Sequence, residues 1–227
     1  MPRFENVGLY DALFIMQDVE SKTLWNHMTG EALYGPHVGR TLGPMGNLLQ
    51  MSVEQALVYG PEMQLAISDR PYLAGGREFG NFTPGLERLG PRNVDERMQG
   101  MFIETLGTED ARFQRMSMGL GIVTADTLRF YPMDLIEEHG ALIDEIDGRR
   151  LLLFVDSKTF TPAAIFVDAS SATLQDREVH LEGGGTVKMG ALYDAAGARL
   201  DAERPQQFFS RWYGLALTFP GMEIFGS

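Results

Sequence analysis

Cysteine is missing altogether from this 227-residue chain. Disulfides, thiolate catalysis and sulfur-held zinc or iron–sulfur sites are excluded with it. The redox compartment stays open, because a cysteine-free protein is at home on either side of a membrane. Positive charge is also short: 19 Lys and Arg face 31 Asp and Glu, a formal net charge of -12. With nothing to offset phosphate repulsion, no nucleic-acid partner is expected. No apolar run approaches bilayer length, so no membrane span is expected. The start, Met1-Pro2-Arg3-Phe4-Glu5-Asn6, has no apolar signal core. Cytoplasm is therefore the default location, with a periplasmic or exported one if the chain is a processed form. Motifs are scarce too. There is no Gly-x-Ser-x-Gly elbow, and Gly183-Gly184-Gly185 lacks the Lys-Ser or Lys-Thr of a phosphate loop, so it reads as a turn.

What is present is a composition of 44% hydrophobic and 22% charged residues, that of a soluble globular protein. One large domain or two small ones fit the length. The densest chemistry lies in Asp18–Gly39, which holds two of the four histidines and one of the two tryptophans. Before it, Leu9 to Gln17 reads as one buried strand. Lys22 to Met28 and Glu31 to Tyr34 return as second and third strands of a meander. Ser52-Val53-Glu54-Gln55 has capping-box spacing and starts a short helix through Tyr59. Met63 to Ile67 alternates as a strand.

Residues 68 to 100 are rich in Gly and Pro and poor in apolar runs, which suits a lid, an arm or a linker. After Gly119, strands are expected at Gly121–Ala125 and Thr127–Tyr131, and a helix from Pro132 to Gly140. A hairpin follows around Asp147-Gly148, spanning Ala141 to Val155. Further strands fall at Thr159–Val167, Glu178–Glu182, Ala191–Asp194 and Met222–Phe225, with a helix opened by Pro205. The fold class is α+β, mostly antiparallel β with short helices.

An internal pseudo-repeat is suggested by Ala32-Leu33-Tyr34 against Ala191-Leu192-Tyr193, and by Pro61–Leu65 against Pro220–Ile224. It divides the chain into a first, incomplete lobe (1–67), an irregular arm or lid (68–117) and a second lobe (118–227). Only the second copy has strands ahead of it. An uncovered sheet edge in the first lobe is the consequence, and a homodimer covering it, through Leu9–Gln17 or the arm, is expected. The second copy also lacks counterparts of Trp25-Asn26-His27 and His37, which frees those residues from packing duty.

Two stretches carry a resemblance. Asp126-Thr127-Leu128-Arg129-Phe130-Tyr131-Pro132 is similar to an Asp-Gly-x-x-Arg-Ala-Tyr-Pro motif. The run from Thr23 to Pro36 is similar to Ser-Leu-Trp-x-x-x-Thr-Gly-x-Ala-x-x-Gly-Pro. Both motifs belong to an uncharacterised family of bacterial and archaeal proteins, catalogued only as a domain of unknown function. The resemblance spans most of the chain except roughly residues 68 to 117. Family members carry a Cys-Pro-x-Cys-Gly-like turn after a hairpin; here Asp156-Ser157-Lys158-Thr159 occupies that turn. A thiol-dependent role is thereby excluded, and the resemblance implies no activity.

The candidate site is built around Trp25, Asn26 and His27. The leading expectation is a small-molecule or metal-binding domain. His27 and His37 beside Asp18, Glu20 and Glu31 offer donors that a divalent ion accepts, although no specific metal spacing is met. The alternative is a hydrolase with His27 as general base or metal ligand, and with Asn26 and Glu31 in the catalytic set. Trp25 could stack on a ligand ring. Thr29, His37, Arg129 and Tyr131 complete the ligand-binding candidates. Against each stands a structural reading: solvated turn carboxylates, a core tryptophan, and an Arg129 locked in a salt bridge.

Overall fold

A computed structural model describes residues 3–60, 62–64 and 103–226. The chain forms α+β structure dominated by antiparallel sheets. The first sheet is a meander of β1 (Phe4–Tyr10), β2 (Leu13–Asp18), β3 (Leu24–Asn26) and β4 (Ala32–Tyr34), paired in chain order. The single strand expected over Leu9–Gln17 is thus corrected to the middle of a hairpin. Asp11 and Ala12 turn it with φ of 48° and 57°. Such a two-residue turn is usually flagged by Asn or Gly, and Asp-Ala between two apolar runs gives no such flag.

The hairpin also places a strand, β1, ahead of the first meander strand that the sequence suggested. β1 covers β2, so the edge argument for a homodimer loses its premise. The outer edge is now β1 itself, whose pairing is broken by a bulge between Asn6 and Gly8. Bulges of this kind blunt an edge against strand addition.

Past β4, the chain runs without regular structure to α1 (Val53–Tyr59), where Ser52 and Gln55 close the expected capping box. The strand expected at Met63–Ile67 does not include Met63 or Gln64, and its remainder lies outside the described residues, as does the arm up to residue 102. The described end of the arm carries a 3-10 turn (Ile103–Thr105) and then packs onto the second lobe. There the Phe113 ring lies 5.8 Å from Phe130, and Trp212 Nε1 donates to the Asp110 carbonyl at 2.9 Å.

The second lobe is layered. β5 (Met118–Val123) and β6 (Leu128–Pro132) form its first sheet together with β15 (Gln206–Arg211) and β16 (Glu223–Ile224), ordered β15-β5-β6-β16. Only β6–β16 is parallel. α2 (Met133–His139) follows β6 directly and ends at Gly140, as expected. β7 (Ala141–Ile146), β8 (Arg149–Val155) and β9 (Pro162–Phe166) make the next sheet. β10 (Ala172–Gln175), β11 (Glu178–Leu181), β12 (Thr186–Lys188), β13 (Ala191–Tyr193) and β14 (Arg199–Leu200) make the last. The helix expected from Pro205 begins later: β15 intervenes, and α3 occupies Trp212–Thr218.

The apolar pattern of β8 explains the layering. Leu151 and Leu153 face one core with Leu120, Ile122 and Tyr131, while Leu152 and Phe154 face another with Val179 and Val187. A strand buried on both faces reads as a continuous apolar run. The third core joins Phe130 to Trp212 and Leu215 of α3. It depends on two glycines of β5. A Cβ on Gly119 would sit 2.4 Å from the Phe130 ring, and one on Gly121 would sit 2.9 Å from Leu215.

The first meander touches this body through Ala12, packed near Met116 and Tyr213, and through Met28, which accepts a bond from Thr218 Oγ1. Among the described residues no helix is long and apolar enough to cross a membrane.

Candidate functional site

Each polar residue of the β3–β4 turn has a structural task. Asn26 Oδ1 accepts the N–H groups of Met28 (2.8 Å) and Thr29 (3.3 Å), as Asn does when it mimics a backbone turn. Thr29 Oγ1 donates to Glu31 Oε2 at 3.2 Å and accepts from the Glu31 N–H. These four bonds hold the turn, and the expected catalytic roles of Asn26 and Glu31 find no second partner in it.

His27 is different. Its Nδ1 lies 2.8 Å from the Phe14 carbonyl oxygen. A carbonyl only accepts, so Nδ1 carries a proton, and in the neutral ring Nε2 is the acceptor. The ring borders a cleft of about 410 Å³ together with Met28.

His37 does not reach that cleft. Its ring lies 6.1 Å from that of Trp25, which is itself only 5% exposed and packed edge-on by Phe4. Trp25 is a core residue of the meander, as its structural reading had it. Neither Trp25 Nε1 nor His37 Nδ1 has a hydrogen-bond partner among the described residues. Asp18 lies close by; its carboxyl is held below the usual range by the Ser21 hydroxyl and the Glu20 N–H, with His37 adding to the effect. Asp18, Glu20, His27, Glu31 and His37 do not assemble into a donor set. No group of three or more His, Asp or Glu placed to hold an ion occurs among the described residues.

Arg129 and Tyr131 stand apart on β6. Arg129 bridges Asp144 (2.7 Å) and Glu223 (2.9 Å), and Tyr131 donates to the same Asp144 carboxylate at 2.6 Å. Burial works against the Arg129 charge, but the two carboxylates outweigh it and raise the pKa. Burial, then the Asp144 bond, pushes the Tyr131 hydroxyl up. The trio is salt-bridged scaffold.

The cleft itself is lined mainly by residues that sequence reasoning missed. At one end Gln55, 1% exposed, joins α1 to the β8–β9 loop: Oε1 accepts the Ser52 N–H and Nε2 donates to Asp156 Oδ2, each at 2.8 Å. Beside it Tyr59 donates to the Gly190 carbonyl and accepts from Arg204 Nη2 at 2.6 Å. Gln207 lies along the wall, its amide bonded to both the N–H and the C=O of Ala164. Leu48, Leu49, Met51, Phe154 and Phe208 add apolar surface. Only the capping box pointed to Gln55, and it gave no sign of Asp156, 101 residues away.

Compared with protein-family models, curated proteins and solved structures, the chain matches none.

Proposed function

We propose that the protein is a binding module for a small polar molecule, held in the cleft between the β3–β4 turn and β15. One observation carries this reading. A cleft of about 410 Å³ brings the His27 ring, bonded through Nδ1 alone, to a largely apolar wall whose charged groups, Asp156 and Arg204, are already held by Gln55 and Tyr59. Ligand sites have this composition: mostly apolar, largely preformed, with few orienting groups. The site centres on His27, and Trp25 and Asn26 serve it by holding the turn.

The alternative, a hydrolase with His27 as general base, has one supporting fact, the fixed tautomer. Among the described residues no carboxylate or hydroxyl is bonded to the ring, and we take binding without turnover as the better reading. A divalent ion gains no support from the donors around His27. We further read the chain as a divergent member of the uncharacterised family its motifs resemble; those motifs fall on β6 and on β3–β4.

The test is a screen of uncharged polar compounds by amide NMR. Hits should perturb His27, Leu48 and Ser210, and Ala163→Leu, which fills the cleft, should weaken them at least tenfold. Hits that perturb other surfaces, or that ignore the filled cleft, would remove the proposal.

A further inference from the structure

The long wall of the cleft is a sheet edge. Among the described strands β15 pairs only with β5, and five consecutive residues, Gln206 to Ser210, line the cleft. In an antiparallel ladder, successive residues turn their N–H and C=O alternately toward and away from the partner. Gln207 N–H turns away from β5, because it donates to Asn47 Oδ1 at 2.9 Å. Trp212 N–H, five residues on, donates to the Ser117 carbonyl on the β5 side, which fixes the same alternation at the other end. Phe209 therefore turns both its N–H and its C=O to the open side, where neither meets a partner among the described residues.

The start of that edge is already occupied by an amide. Asn47 Nδ2 donates to the Pro205 carbonyl at 2.8 Å, while its Oδ1 accepts from Gln207. These are the two bonds that the N–H and C=O of one residue in an adjoining parallel strand would make, and they stop one residue pair short of Phe209. Charge gives the second constraint. Among the described lining residues Asp156 and Arg204 are the only Asp, Glu, Lys or Arg, and both are bonded internally. What remains is a neutral row of donors and acceptors beside apolar side chains.

We propose that the cleft takes a short, uncharged, extended peptide segment, added as a strand to β15 where the Asn47 amide leaves off. The proposal rests on the cleft being a ligand site and names the ligand's class. Strand addition of this kind draws affinity from main-chain bonds and selectivity from side-chain contacts. At the far end, His27 Nε2 accepts one further N–H from the ligand.

The test uses the full chain and the blocked peptide acetyl-Ala-Leu-Ala-amide. Binding should shift the Phe209 amide in NMR spectra and slow its hydrogen exchange. A fully backbone N-methylated copy should bind at least tenfold more weakly. Phe209→Pro removes the N–H at an edge position that tolerates proline and should lose binding, while Phe209→Val should keep it. If the proline variant does not fold, the N-methylated peptide decides alone. Equal binding of both peptides, or a Phe209 amide already protected in the free protein, would overturn strand addition. An uncharged compound that perturbs His27 and Leu48 without moving Phe209 would overturn strand addition yet leave the cleft reading standing. If no uncharged compound enters the cleft, both fall.

Discussion

Two loops of this protein share one design and end differently. Asp18–Thr23 joins β2 to β3, and Asp156–Thr161 joins β8 to β9. In each, the leading Asp N–H donates to the carbonyl of the closing Thr, at 3.0 and 2.9 Å. Its carbonyl accepts the N–H of the fifth residue, Lys22 or Phe160, which sits at a φ of 59° or 55°. Its carboxylate takes the N–H of the third residue, Glu20 or Lys158, at 2.9 Å. A hydroxyl at the fourth position, Ser21 or Thr159, bonds both that carboxylate and the closing Thr hydroxyl.

The difference lies outside the loops. Asp156 receives Gln55 from a distant helix and becomes part of the cleft wall. Asp18 instead lies near His37, whose Nδ1, like Trp25 Nε1, has no partner among the described residues. Identical local chemistry thus closes one loop into the body and leaves the other as a shell around Trp25. The local sequence builds the loop, and the long-range partner decides its use.

The largest effect should come from the shell. Trp25→Ala deletes a nearly buried indole from the small core under Phe4, with an expected loss of about 3–5 kcal/mol, as for large aromatic deletions. Urea denaturation measures it. A loss below roughly 1 kcal/mol would mean that Trp25 does not hold the meander and that its loop is the looser of the two.

Next comes the carboxylate of the closed loop. Asp156→Ala strands the Gln55 amide and two loop N–H groups, at an expected loss of about 2–3 kcal/mol, the order for buried donors that lose a charged acceptor. Asp18→Ala should cost less, since no distant partner is stranded. Equal losses would erase the distinction between the loops.

This pair also shows what the sequence could and could not reveal. The hairpin around Asp147-Gly148, the capping box at Ser52 and the helix stop at Gly140 were legible, because each depends on residues within a few positions of one another. β1 was missed because Asp11-Ala12 adopts a turn without the usual residues. The strand expected over Thr159–Val167 begins only at Pro162, because Thr159 and Thr161 serve the loop. His27, which borders the cleft, was singled out by its chemistry. Gln55, Arg204 and Gln207 were not, since their partners Asp156, Tyr59 and Ala164 are 101, 145 and 43 residues away. Asn26 and Glu31 drew notice as polar groups in a rich stretch, and the turn uses them up.

A smaller effect tests whether the shared backbone is equally strained. Lys22 and Phe160 both adopt the left-handed conformation, which costs a non-glycine residue about 1–2 kcal/mol, whereas glycine's entropy cost is about 0.5–1 kcal/mol. Lys22→Gly and Phe160→Gly should each stabilise by about 0.5 kcal/mol. Opposite signs in the two loops, measured by thermal and urea unfolding, would show that the match is only in hydrogen bonds.

The finest test is the titration of Asp18. Its carboxyl is held low first by the Ser21 hydroxyl, then by the Glu20 N–H, with a smaller contribution from His37. A carboxyl whose folded pKa lies below its unfolded value, roughly 3.9 for Asp, stabilises the fold above that value. Its contribution fades as pH falls through the folded pKa. Acid should therefore loosen the first loop below about pH 4. Carbon NMR of the Asp18 carboxyl reads the midpoint directly. Ser21→Ala removes the largest cause and should move the midpoint up toward the unfolded value, while His37→Ala should move it up by less. If His37→Ala moves it further than Ser21→Ala, the carboxylate is governed by the ring facing it and not by its own loop. The likeness to Asp156, whose hydroxyl bond comes from Thr159, would then be one of shape only.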